Sequence, residues 1–166
     1  MRTYIRAYQP GGCYFFTVVT GKRRPHFADS AHIERLRQAF RHVMDKHPFV
    51  IDAAVIMPDH IHTILSLPEN DDDFSTRWRL IKHFVSRGWQ SEDAFWQPRF
   101  WEHLIRDEED WRRHVDYIHY NPVKHGMVAK PEDWEYGSFR QAKADGWYPD
   151  GWGCSKPESC KNMELE

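Results

Sequence analysis

The stretch VIMPDHIHTILSL, Val55 to Leu67, contains two apolar runs joined by a short polar break. The first belongs to a strand over about Val50 to Met57 that reaches Pro58, and the second to a strand over about Ile61 to Leu67. With only Asp59 and His60 left to turn the chain, the two strands are expected to pair as an antiparallel hairpin. If the second strand begins at His60, it carries both His60 and His62, one residue apart. Alternate residues of a strand share a face, so the two imidazoles project together and form a ready pair of nitrogen ligands for a divalent metal. Taken alone, His-x-His more often marks two partly exposed histidines at a sheet edge.

Outward from the hairpin, GGCYFFTVVTGKRRP reads as a turn, a strand over about Cys13 to Thr20 and a basic loop. Asp29 or Ser30 can cap a helix to about Lys46 with Ile33, Leu36, Phe40 and Val43 along one side. Beyond the hairpin, PENDDDFS is an acidic loop in which Asp73 or Ser75 can cap a helix to about Trp89, with Trp78, Ile81 and Val85 inward. FWQPRFWEHLI holds a short strand, placed at an edge because Pro98 cannot donate to a central ladder. Asp107 caps a helix with Glu108, Glu109 and Asp110 in its first turn, expected to run to about Asn121 and stop at Pro122. A short helix follows near Ser138 to Ala144, and residues 151–166 read as a loosely ordered tail after a single domain over residues 1–150. The order β-α-β-β-α-β-α predicts an α+β, ferredoxin-like fold: a split β-α-β antiparallel sheet, helices on one face, and an additional C-terminal helix.

The 166 residues suit one core, and no run approaches the roughly 20 apolar residues of a membrane helix. No signal peptide is recognisable, so a cytoplasmic protein without membrane contact is expected. Cys13, Cys154 and Cys160 read as free thiols. Residues 1–50 carry nine Lys/Arg against three Asp/Glu, whereas residues 51–130 carry ten against fourteen and residues 131–166 four against eight. The first third can therefore supply a basic face within a chain whose net charge is −2.

A second constellation lies in RRHVDYIHYNPVKHG, Arg112 to Gly126. At about 100° per residue, Trp111, Val115 and Ile118 make a core stripe and His114, Tyr117 and Asn121 a separate one, a quarter turn away. Tyr117 and Asn121 stand at i and i+4 and share a face, so periodicity prefers Tyr117 to Tyr120 as the partner of Asn121. Taken alone, Tyr117 more readily reads as an interfacial aromatic with a bonded hydroxyl, and His114 as a solvated surface histidine.

The blocks MPDHIH, DDDFSTRWRLIKHF, FWQPRFWEH and HVDYIHYNPVKHG, in that order, resemble the REP-associated tyrosine transposases, relatives of the single-tyrosine HUH transposases of small insertion sequences. The resemblance runs from about Tyr4 to Tyr148. It implies the fold drafted above and cleavage and joining of single-stranded DNA at hairpins of repetitive extragenic palindromes (REP or BIME type). It makes His60 and His62 the metal-binding pair and Tyr117 the nucleophile. Asn121 stands where the wider superfamily often has a glutamine that completes the metal site. The nucleophile would form a covalent 5′-phosphotyrosine, assisted by Mg²⁺ or Mn²⁺. Phosphate contacts are expected from Arg23, Arg24, Arg77, Arg79, Lys82, Lys124 and His125, and base stacking from Trp96 and Trp101 beside Arg99. Core packing is the rival reading for the tryptophans, and the preferred one for Trp78, Trp111 and Trp101. A monomer is expected, with a dimer as the alternative. Two other functions compete: a domesticated hairpin-binding protein with little or no cleavage, and a small metal-dependent hydrolase that uses water.

Overall fold

The computed structural model describes residues 6–166; the start of the resemblance, at Tyr4, lies outside the described residues. Four strands, β1 (Cys13–Val19), β2 (Val50–Ile56), β3 (His60–Ser66) and β4 (Trp101–Leu104), form one sheet in the order β2-β3-β1-β4. Every pair is antiparallel, and β2 and β3 are the expected hairpin, with Ile56 opposite Ile61. Strand β4 is short and at an edge, as Pro98 required.

Helices α1 (Ser30–Lys46) and α2 (Phe74–Ser86) cover one face. Their first turns are closed by Asp29 and Asp73, whose carboxylates accept from the amides of Ala31 and Thr76. Tyr14, Phe16, Val18, Ile61 and Leu65 from the sheet meet Ile33, Leu36, Val43, Trp78, Ile81 and Val85 from the helices. The additional helix, α3 (Glu108–Lys124), lies on the opposite face, where Val115 and Ile118 pack on Phe15, Ala53, Val55 and Ile64. Both faces of the sheet are thus covered, so β1 and β3 are buried at nearly every residue instead of alternating. Ile64 shares the face of the two histidines.

The structure corrects three expectations here. Helix α3 does not stop before Pro122 but continues through it to Lys124. A proline lacks only its own N–H, and this one stands in the last turn, where one lost bond is cheap. The end is closed instead by Gly126 at φ +69°, with amide bonds from Met127 to Pro122 and from Gly126 to Val123. Secondly, α3 is buried well beyond one stripe: Trp111 is only half-buried, while His114, Asp116, Tyr117, His119 and Asn121 are all buried. Segments after residue 130 explain this, because they wrap the side of α3 that faces away from the sheet. His119 bonds Tyr148 and Ser138, Tyr148 bonds Asp116, and Ser159 bonds Asp116. This region includes α4 (Phe139–Ala144) and pairs on the open edge of β2 at Gly137, where a side chain would press to 2.8 Å from the Ala54 carbonyl. Thirdly, the supposedly loose tail is packed: Cys160 and Met163 are buried in the core beneath α3. Among the described residues no helix is long and apolar enough to cross a membrane.

Candidate active site

Strand β3 delivers His60 and His62 to the α3 side of the sheet, ring centroids 4.7 Å apart, and α3 brings Tyr117 and Asn121 down onto them. The Tyr117 ring lies 5.4 Å from that of His62, and the Asn121 Oδ1 lies 3.2 Å from His60 Nε2. Residues remote in sequence therefore lie together, as the resemblance implied, and the i, i+4 pair on α3 that faces the histidines is Tyr117 with Asn121.

The hydrogen bonds around the imidazoles fix which nitrogens are free. Asp59 can only accept, so the 2.7 Å contact puts a proton on His60 Nδ1, and in the neutral ring Nε2 then carries a lone pair. That bond also holds the Asp59 carboxyl down at about 2. Thr17 donates its hydroxyl to the Leu165 carbonyl, so it accepts from His62 Nδ1 at 2.9 Å, and His62 Nε2 is likewise a lone pair. Burial pushes His62 down to about 4, so it is neutral at pH 7. Asn121 donates Nδ2 to Glu166 and so turns Oδ1 toward His60. With both rings neutral, three lone pairs face one buried point, and His62 Nε2 has no hydrogen-bond partner. Such a set repels itself unless a cation stands among the donors, and neutral imidazoles with an amide oxygen are the right donors for a divalent ion. The residues fit the metal that the resemblance implies.

Tyr117 is not open to solvent. Its hydroxyl donates to Glu166 in a very short contact and accepts from Lys124 Nζ at 3.1 Å and from the Leu165 amide at 3.3 Å. Burial, reinforced by the Glu166 carboxylate and opposed by Lys124, pushes the phenol up to about 12. Glu166 also meets His125 Nε2 at 2.8 Å, Lys124 Nζ at 3.2 Å and His62 Nε2 at 3.5 Å. Despite partial burial, these partners hold its carboxyl far below the usual range. Lys124, against the burial that works to lower it, is raised by Tyr117 and Glu166. Sequence reasoning missed the role of residues 164–166 altogether; a Glu-Leu-Glu run carries no signal that it folds back 100 residues onto a histidine pair.

The residues expected on DNA divide into two sets. Lys124 and His125 sit in the site itself. Arg23, paired with Asp59 at 3.2 Å, and exposed Arg99 line a groove of about 550 Å³ beside it, together with Gln97, Phe100, Trp101 and residues 164–166. Arg24 is exposed and pairs with Asp93 at 3.6 Å, and Arg79 is exposed. The other set is turned into the protein. Arg77 is buried, its guanidinium spent on Asp71 and on the carbonyls of His47, Pro48 and Asp73. Lys82 is half-buried against the Gln97 carbonyl, and burial lowers it. Trp96 is a core residue whose indole donates to the Lys82 carbonyl, whereas Trp101, expected in the core, is 38% exposed in the groove. The two tryptophans have exchanged roles because β4 begins at Trp101 and turns that side chain outward. His114 is not solvated; it is buried, donates to the Asp110 carbonyl and stacks on His103.

Residues 11–121 match the family model described as "Transposase IS200 like". A REP-associated tyrosine transposase of Escherichia coli strain K12 is 46% identical over 152 residues, which cover 92% of this chain and 91% of that protein. The solved structure of a REP-associated tyrosine transposase bound to a REP hairpin is similar over 99% of both chains, with 42% identity and a TM-score of 0.85.

Proposed function

This chain belongs to the REP-associated tyrosine transposases, within the IS200-like transposases, and from that premise we propose that it cuts and rejoins single-stranded DNA at REP-type hairpins through Tyr117. The observation that carries the reading is the convergence of Tyr117 with His60, His62 and Asn121 at one buried point. The Tyr117 oxygen attacks the scissile phosphorus, the P–O bond to the 3′ oxygen breaks, and a 5′-phosphotyrosine and a free 3′-hydroxyl result. A second strand's 3′-hydroxyl reverses the step and joins, because the phosphodiester energy is kept in the protein–DNA bond. A divalent ion, Mg²⁺ or Mn²⁺, held by His60, His62 and Asn121, would polarise the phosphate and steady the leaving oxygen. Lys124 places an ammonium 3.1 Å from the phenol oxygen, where it favours negative charge on the attacking atom. Arg23 and Arg99 supply phosphate contacts, and Trp101 a stacking face, along the groove that leads to the site, while exposed Arg24 and Arg79 lie outside its lining.

The phenol and its imidazoles meet within one chain, which supports a monomer; light scattering at micromolar concentration tests it. A cytoplasmic location fits a DNA substrate. Residues 164–166 fill the space a scissile phosphate needs, so cleavage requires their withdrawal. That covering favours a second reading, a hairpin-binding protein whose cleavage is held off. Incubation with a labelled REP-type hairpin and Mn²⁺ or Mg²⁺ tests both. Cleavage predicts a covalent adduct with the wild-type chain and none with Tyr117→Phe, a loss of at least about 10³-fold. Adduct at wild-type yield from Tyr117→Phe excludes this nucleophile, and tight binding without adduct under either metal favours the second reading.

A further inference from the structure

We infer that Glu166 is a ligand to the same divalent ion as His60 and His62, so that the ion fastens residues 164–166 into the site. The inference rests on the reading of the histidine pair as a metal site and extends it to a residue outside the matched region, which ends at Asn121.

One donor atom each from His60, His62 and Glu166 lies within 4.8 Å of the other two. Ligands bound at about 2.1 Å to one ion stand about 3 to 4.2 Å apart, according to whether they are adjacent or opposite. The 3.5 Å between His62 Nε2 and Glu166 Oε1 falls inside that interval. It is too long for a strong hydrogen bond, and no proton is available for one, since the Nδ1 of His62 carries its hydrogen toward Thr17. Two acceptors held this close repel each other, and an ion between them reverses the sign of the interaction. The carboxylate is also aimed. Lys124 and His125 hold Oε2, and Asn121 and Tyr117 hold Oε1. Leu165 is tied at both backbone groups, its carbonyl to Thr17 and its amide to Tyr117, and buried Met163 anchors the turn before it.

The consequence inverts the usual expectation for a metal nuclease. Without DNA, the ion stabilises the covered state. A scissile phosphate gains the ion only by ligand exchange, one phosphate oxygen replacing the Glu166 carboxylate, with no covalent bond made or broken.

Mn²⁺ titration of the full-length protein, followed by calorimetry and electron paramagnetic resonance, tests this alongside hydrogen exchange of residues 160–166 in Mn²⁺ and in EDTA. Glu166→Gln keeps the shape and most hydrogen bonds but is a poor ligand. It is expected to weaken Mn²⁺ binding by about tenfold or more, and Mn²⁺ is expected to slow exchange at Leu165 in the wild type alone. If Glu166→Gln binds Mn²⁺ like the wild type while His62→Ala loses it, the inference is overturned and the histidine site stands. If the wild type binds no Mn²⁺, or His62→Ala binds it unchanged, the metal reading fails and takes this inference with it.

Discussion

The two faces of the sheet draw on alternate residues of the same strands, yet they are different materials. Toward α1 and α2, Ile61 and Leu65 of β3 join Phe16, Phe74, Trp78 and Phe100 in an aromatic core. Toward α3, His60 and His62 of the same strand enter a layer rich in buried polar groups: Thr17, His114, Asp116, His119 and Asn121. The first face excludes water by apolar area. The second excludes it while keeping lone pairs pointed at one place. Stability should therefore reside on the first face and chemistry on the second, and substitutions can be chosen to break that division.

The largest expected effect is on the apolar face. Trp78 is fully buried among Phe16, Phe40 and Phe100. Trp78→Ala should cost about 3–5 kcal/mol and lower Tm by on the order of 10 °C, read from urea and thermal unfolding. Trp78→Phe should cost less than area alone suggests, because the buried Trp78 Nε1 has no hydrogen-bond partner and its removal abolishes that penalty. Neither change should alter cleavage measured well below Tm. A selective loss of adduct formation in folded Trp78→Phe would show that the faces are not separable.

Next is Arg77, the buried charge on that same face. Its bidentate contact with Asp71, at 3.0 and 2.8 Å, and its three carbonyl bonds tie the end of α1 to the start of α2. Arg77→Leu should destabilise by about 1–3 kcal/mol yet leave the salt dependence of hairpin binding unchanged. A shallower salt slope would restore Arg77 to the DNA surface, where sequence reasoning had placed it.

That error shows what could and could not be read from the chain. The hairpin, the capped helices, the edge strand and the Tyr117–Asn121 pair follow from short-range rules: strand alternation, turn length, i, i+4 spacing and Asp caps. Arg77 was misread because nothing local distinguishes a solvated arginine from one whose carboxylate, Asp71, is turned toward it by a preceding loop. The one-stripe picture of α3 failed because periodicity assumes one buried face, and segments after residue 130 bury a second. Trp96 is held in the α1–α2 core by a bridge to Thr20 and a bond to the Lys82 carbonyl, whereas Trp101 opens the edge strand β4, and neither contact is visible in local sequence. Residues 164–166 return to the histidines through long-range contacts, for which a polar tripeptide offers no periodic or motif signal.

On the polar face, acid should act through the histidines. Burial pushes His119 down to about 3 and His62 to about 4, below the ordinary 6.5. Between those values and 6.5 the unfolded chain binds protons that the folded chain refuses, so stability falls as pH drops through that window and is level above it. Each histidine contributes a slope of up to about 1.4 kcal/mol per pH unit. His119→Gln, which can still reach Ser138, should flatten the dependence of Tm on pH between 6.5 and 4 in metal-free buffer. An unchanged slope would mean that His119 opens to water in the folded chain.

The smallest effect belongs to the groove between the faces. Exposed Arg99 lies beside Trp101 and residues 164–166, with no burial to make it structural. Arg99→Ala should leave Tm within about 1–2 °C, as surface substitutions do, and reduce the slope of log affinity against log salt by about 0.7–0.9, one phosphate contact. Affinity should weaken evenly across hairpins of different loop sequence, since a phosphate contact carries no base information. Paired with Arg77→Leu, this gives a double dissociation: one arginine changes unfolding and not the salt slope, the other the salt slope and not unfolding. If Arg99→Ala instead weakened one hairpin sequence selectively, the groove would be reading bases, and Trp101 with Arg99 would set specificity.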